Sequence, residues 1–254
     1  MQRITSLKDL LDITKDTNPG KTSFFRGEAR DYYHLIPKIG RLVPKKPSFN
    51  QVPDLDLRFA SMIIGERDVF NHFKRFSYPH LKHIPSNDWD WLALAQHHGL
   101  PTRLLDWTDN PLVALYFAVG NNFTSNDLEQ EKIINPQYTG DAVFYHIETR
   151  HGFLEAEEIL TLNPFEVELE LFATTVVTPR IQTQKGYFSI QKEIHTPFPE
   201  LFLKYKKRHI NKYIIPFEFR KTIKDELYSF GIDHYHIFPD LDGLCRKLQE
   251  SINV

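Results

Sequence analysis

The sequence predicts an α+β fold in which a mixed or antiparallel central sheet is flanked by helices. The strongest observation is the order of textures. Helical periodicity comes first (5–14, 55–76, 89–97), strand-like runs fill 142–217, and helical periodicity returns at the end. Segregated blocks of this kind fit α+β better than alternating βα units. The second observation is size and composition. At 254 residues, 41% hydrophobic and 25% charged, the chain can bury a sizeable core as an ordinary globular protein. The third is a set of missing features. No apolar run reaches the roughly 18–20 residues of a membrane span, the N-terminus lacks a secretory apolar region, and Cys245 has no second cysteine to pair with. A soluble, cytoplasmic protein with no membrane partner is expected.

Element by element, Leu7, Leu10, Leu11 and Ile13 form a mostly one-sided stripe and predict a leading helix over 5–14. Asn18-Pro19-Gly20 breaks it. Residues 22–26 are β-branched and aromatic, a strand ending at Gly27. Pro37, Pro44, Pro47 and Pro53 make 37–53 an irregular loop. Phe59, Met62, Ile63, Phe70 and Phe73 predict one long helix over 55–76. Ser86 or Asn87 is the expected N-cap of a helix over 89–97, with Gly99 at C′ and Pro101 as the stop. Residues 102–105 should be extended. Thr108 or Asp109 is expected to cap a helix with Pro111 in its first turn and Ala114, Leu115, Phe117 and Ala118 on the core. The polar stretch 121–139 reads as a loop. Strands follow at 142–147, 167–177, 186–190 and 213–217, then helices at 221–230 and 240–251. Cys245, beside Leu244 and Leu248, reads as a buried small hydrophobe.

Charge excludes little but points away from polyanions. The 33 acidic and 31 basic residues give no global case for nucleic acid, which remains open only through a local patch. Walker A, G-x-G-x-x-G, G-x-S-x-G and H-E-x-x-H signatures are missing, which argues against a P-loop enzyme or serine hydrolase. With one cysteine and no helical His-x-x-x-His, no metal is expected.

Three segments carry candidate chemistry. In Phe24-Phe25-Arg26-Gly27-Glu28 a strand-end arginine can offer its planar fork to phosphate or carboxylate. The glycine allows close approach of a ligand or of backbone. The competing reading is an ion pair of Arg26 with Glu28 or Asp106. The second segment is Gln96-His97-His98-Gly99-Leu100-Pro101-Thr102-Arg103-Leu104-Leu105-Asp106-Trp107-Thr108. Adjacent histidines on a helix diverge, so at most one serves a site. Thr102, Arg103, Asp106 and Thr108 can line a polar pocket. Alternatively Asp106 and Thr108 cap the next helix and Arg103 pairs with Asp106. The third is 180–188, a short polar turn leading into an aromatic strand, where Gln184 either points an amide into a cleft or sits on a solvated hairpin tip.

Together these segments resemble the FRG-domain family. Phe25-Arg26-Gly27 matches the motif that names it, and residues 96–108 with Asn110-Pro111 and Ala114-Leu115-Tyr116-Phe117-Ala118 match its longest motif. Arg180, Gln184, Gly186 and Phe188 match more weakly, and Phe238-Pro239-Asp240-Leu241-Asp242-Gly243-Leu244 resembles its closing motif. The resemblance implies a single domain over 1–254, motif-bearing from about 20 to 250. Its members look like bacterial and phage proteins, some tied to defence or toxin systems. A more distant resemblance, to ADP-ribosyltransferases, implies a split sheet, NAD as cofactor and a macromolecular acceptor. Arg26, His98, Asp106 and Gln184 would then be catalytic. Arg26 would hold the pyrophosphate or ribose, Thr108 and His98 the nicotinamide ribose, and Tyr116 or Tyr187 would stack on nicotinamide. Gly27, Gln96, Thr102 and Arg103 complete the expected binding set. Position 184 is Gln where such enzymes usually carry a glutamate. The same cleft therefore also fits a non-catalytic module for a nucleotide, nucleic acid or protein, or a hydrolase built on His98 and Asp106.

Overall fold

The computed structural model describes residues 2–15, 20–42, 65–149, 161–174, 186–206, 208 and 210–252. The chain is an α+β protein built on a seven-stranded mixed sheet. The strands are β1 (Gln2–Arg3), β2 (Thr22–Glu28), β3 (Leu104–Thr108), β4 (Ala142–Thr149), β5 (Leu169–Phe172), β6 (Gly186–Gln191) and β7 (Asn211–Ile215). Their order across the sheet is β1-β7-β4-β2-β3-β6-β5, with β1–β7 parallel and every other pair antiparallel.

The helices are α1 (Leu7–Lys15), α2 (Lys38–Leu42), α3 (Glu66–Ser77), α4 (Asp88–His97), α5 (Pro111–Val119), α6 (Ser125–Ile134), α7 (Phe198–Lys206), α8 (Phe217–Ser229), α9 (His234–Ile237) and α10 (Leu241–Ile252). Local chemistry explains most of the boundaries. The Asn87 side chain accepts from the Asp90 amide and starts α4. Gly99, at φ +90°, lets the chain leave α4 in the left-handed conformation. The cap of α5 is Asn110, not Thr108 or Asp109: its side chain accepts from the Leu112 amide, with Pro111 at the first helical position.

Several expectations are corrected. Residues 121–139 are not simply a loop, because Thr124 and Asp127 form a capping box that nucleates α6. The expected helix over 55–76 begins at Glu66, since Gly65 is extended and acts as N-cap; 55–64 lie outside the described residues. Of the expected loop 37–53, residues 38–42 form α2, and the rest is outside the described residues. The strand expected at 102–105 sits two residues later, as β3. Of the strand expected at 167–177, residues 169–172 are extended, and 175–177 are outside the described residues. The last strand stops at Ile215 because Pro216 cannot donate to a ladder and instead precedes α8. Cys245 is exposed, on the outer face of α10.

Strand alternation divides the core between the two faces of the sheet. Phe25, Phe144, Tyr213 and Ile215 face a layer made by α1, α5, α8 and α9. Phe24, Leu105, Trp107, Val143, Tyr145 and Leu171 face α7, where Phe198 and Phe202 stack on each other. A third cluster joins α3 and α4 to Leu104, Phe172, Phe188 and Ile190. Helix α5 is apolar all round because it lies buried between β2 and α8. Buried Arg220 of α8 then ties three segments together, donating to the carbonyls of Ala29 (3.1 Å), Ala118 (3.3 Å) and Gly140 (2.8 Å).

Gly27 is where β2 touches α5. A Cβ built there would lie 1.9 Å from the Ala114 carbonyl oxygen and 2.7 Å from the Ala118 nitrogen, both backbone atoms. The motif glycine therefore serves close packing of strand on helix. Gly27→Ala is expected to lower stability by about 3 kcal/mol, the upper range for overpacking. Urea denaturation checks this, and a loss below about 1 kcal/mol would show that α5 yields freely.

Candidate functional site

The centre of the sheet is nearly divided. β2 pairs with β4 along its whole length, from Thr22↔Thr149 to Glu28↔Val143. β3 pairs with β6 over its whole length, from Leu104↔Ile190 to Thr108↔Gly186. Between β2 and β3 there is one register pair, Phe25↔Thr108. Past it the strands separate, and their backbone groups no longer satisfy each other. Arg26 fills part of that gap: its Nη1 donates to the Asp106 carbonyl oxygen at 2.8 Å, where a ladder amide would otherwise donate.

The separation opens a cleft with two lobes. The main lobe is a cavity of about 230 Å³, with Arg26, Gln96, His97, Asp106 and Thr108 among its polar walls and Phe117 and Phe188 among its apolar ones. The second, about 210 Å³, shares Arg26, Gln96 and Asp106 and adds Lys38, Arg41 and Gly99. Each alone is smaller than a usual small-molecule site of roughly 300–1,000 Å³. They adjoin at three shared residues, so a ligand spanning both would pass Arg26, Gln96 and Asp106.

A continuous polar chain crosses the cleft floor. The buried Thr102 hydroxyl donates to Gln96 Oε1 and accepts from the Leu104 amide (3.2 Å). Gln96 Nε2 donates to Asp106 Oδ1 (2.7 Å). Arg26 Nη1 reaches Asp106 Oδ2 at 3.5 Å, while its Nε and Nη2 both donate to Glu28 Oε1 (3.2 and 3.1 Å). The two carboxylates differ sharply in setting. The Asp106 side chain is 60% exposed, whereas that of Glu28 is 4% exposed. Burial opposes the Arg26 charge, but Glu28 and Asp106 outweigh it and raise its pKa. Trp107 anchors β3 from below, donating through Nε1 to Ser189 Oγ at 2.9 Å.

The residues nominated by sequence separate into those at the cleft and those behind it. Arg26, Gly27, Gln96, Asp106 and Thr108 line the main lobe. Thr102 lies buried beneath Gln96. Of the two histidines His97 lines the lobe, while His98 is exposed at the C-cap of α4 with its ring against that of His97. Arg103 faces away, held bidentately by Glu66 and stacked 4.9 Å from Phe165; it does not pair with Asp106. Tyr116 lies in the core, its hydroxyl 2.8 Å from His234 Nδ1, and burial raises its pKa. Tyr187 packs edge-on to Phe24 and hydrogen-bonds Asp109 (3.4 Å). Arg180 and Gln184, with the rest of 175–185, lie outside the described residues, while 186–188 begin β6. Sequence reading missed Phe117 and Phe188 as walls, and Lys38 and Arg41 altogether. The signal for the latter pair was hidden in a proline-rich stretch with no periodicity. Among the described residues, no group of three or more His, Cys, Asp or Glu side chains gathers as a metal site. No described helix is long and apolar enough to cross a membrane.

The fold and site thus define an α+β domain whose cleft opens where its sheet divides. Residues 21–127 match the family model of the FRG domain. The match takes in β2, β3, α4, α5, the second lobe and the main lobe apart from its wall of Gly186 and Phe188. It is narrower than the 20–250 expected, and the segment 238–244 lies outside it. No curated protein and no solved structure matches the chain.

The polar chain predicts the effect of cutting it. Gln96→Leu leaves the buried Thr102 hydroxyl without an acceptor and is expected to cost about 1–3 kcal/mol. Adding Thr102→Val removes the stranded hydroxyl but also the acceptor of the Leu104 amide, so the double variant is expected to lose less than the sum of the two single losses, measured by urea denaturation. Fully additive losses would mean that the hydroxyl had found another partner.

Proposed function

We propose that the cleft binds NAD and that the domain is an ADP-ribosyltransferase-like enzyme acting on a macromolecular acceptor, in a toxin or defence setting. The observation carrying this reading is one exposed carboxylate, Asp106, oriented by Gln96 beside the aromatic walls Phe117 and Phe188. A flat nicotinamide ring suits a lobe of about 230 Å³ walled by aromatic faces. As the bond from ribose C1′ to the nicotinamide nitrogen breaks, its electron pair leaves with neutral nicotinamide, and positive charge builds on the ribose. A preorganised carboxylate lowers that barrier directly. Asp106 would thus supply the negative charge for which a glutamate at 184 is missing. The acceptor's nucleophile then bonds to C1′ and gives up its proton. Positioning contributes more than a strong base in such a reaction. Thr108 and His97 stand in the same lobe to orient the ribose.

A second reading, a non-catalytic nucleotide- or protein-recognition module, is favoured by the state of Arg26, whose fork is engaged by Glu28 and Asp106. Nicotinamide release separates the two. Asp106→Asn keeps the shape of an exposed side chain and is expected to slow release by about 100-fold or more while NAD binding persists. Wild-type protein that neither releases nicotinamide from NAD nor binds it by calorimetry would reject both the enzyme and the NAD assignment.

A further inference from the structure

The cation that a diphosphate would be expected to meet, Arg26, has its charge balanced within the fold. Nε and Nη2 go to Glu28, and Nη1 goes to Asp106. Two other cations open onto the same cleft. Lys38 and Arg41, both exposed residues of α2, line the second lobe. Neither forms an ion pair with a carboxylate among the described residues. Lys38 Nζ donates to the Gly99 carbonyl (3.3 Å), and the Arg41 guanidinium lies 4.1 Å from the Tyr33 ring centroid. Stacking on a ring holds a guanidinium plane while leaving its edge donors available.

Their support is rigid. The Ile39 amide donates to the Thr102 carbonyl (3.3 Å), joining α2 to the segment that bears Gln96 and Asp106. Gly40 packs so closely on the Ile194 carbonyl that a Cβ would lie 1.7 Å from its oxygen. The Gly40 carbonyl also contacts His195 Nδ1 at 3.0 Å. Just before α2, fully buried Leu35 gives its carbonyl to the Phe198 amide (3.1 Å). Two cations that form no ion pair with a carboxylate among the described residues, on a short helix fixed from several sides, beside a cavity of about 210 Å³, form a preorganised place for an oxyanion.

We infer that the second lobe is a diphosphate subsite, with Lys38 and Arg41 as the cations that select phosphorylated ligands. The assignment rests on the nucleotide-binding reading of the cleft. It places the flat ring in the main lobe and the phosphates in the second, with Asp106 at the junction facing the ribose. Among the described residues the lobe is lined by α2, the end of α4, β3 and Arg26, and a space of about 210 Å³ suits the diphosphate of a small nucleotide better than the backbone of a polynucleotide.

The test is calorimetry at low salt with inorganic diphosphate, with NAD, and with a short single-stranded oligonucleotide. Wild type is compared with Lys38→Ala, Arg41→Ala and the double variant, each checked for an unchanged unfolding midpoint. Diphosphate is expected to bind wild type, to weaken about tenfold in each single variant, and to be lost in the double. Added salt should weaken it further. Diphosphate that fails to bind, or binds the double variant equally well, would overturn the subsite whatever NAD does. An oligonucleotide bound far more tightly than diphosphate through the same two residues would also overturn it, in favour of a nucleic-acid groove. Diphosphate binding without NAD binding would leave the subsite standing and reject the NAD reading alone.

Discussion

The two halves of this sheet meet at one backbone register pair and one arginine. β1, β7, β4 and β2 form one half; β3, β6 and β5 form the other. At Phe25↔Thr108 they touch, and beyond it Arg26 reaches across to the Asp106 carbonyl. A guanidinium can bridge a gap that a backbone amide cannot, because its side chain is longer and its donors fan out in a plane. Its charge must be balanced where it is buried, and Glu28, on the same face of β2 two residues on, balances it. The cleft exists because the strands are held apart at this point without being released.

This arrangement divides labour between residues that one motif presents together. Arg26 and Glu28 hold the split. Gly27 lets β2 lie against α5, so that Phe117 reaches the main lobe. Gln96, set by Thr102, aims Asp106. A carboxylate that is largely exposed yet hydrogen-bonded on one side can meet a ligand without the desolvation cost that a buried one carries. The charges left to greet an anion are those of α2, which lies outside the conspicuous motifs.

Much of this could be read from residues alone. The Asn87 cap, the Gly99 exit and the strand pattern of β4 and β6 follow from local rules, and the structure agrees at each. The polar run 96–108 was visible as a site because so many functional side chains crowd beside turn residues. Where the reading failed, tertiary context decided. The helix α6 depends on a capping box inside a polar stretch, and periodicity alone hid it. Arg103 looked like a partner of Asp106 because they are near in sequence, but strand alternation sends them to different surroundings. His97 rather than His98 reaches the lobe because the helix ends between them. The roles of Lys38 and Arg41 could not be foreseen, since α2 is too short to show a pattern and takes its place from contacts with 102 and 194–198.

The central claim is that Arg26 and Glu28 act as a unit within the fold, so that the first motif of the cleft is structural. A double-mutant cycle with Arg26→Met and Glu28→Gln, read by urea denaturation, tests it most directly. The account predicts a coupling of about 2 kcal/mol or more, because removing either partner strands the other charge in a buried place. Additivity within about 0.5 kcal/mol would contradict it and return Arg26 to the ligand.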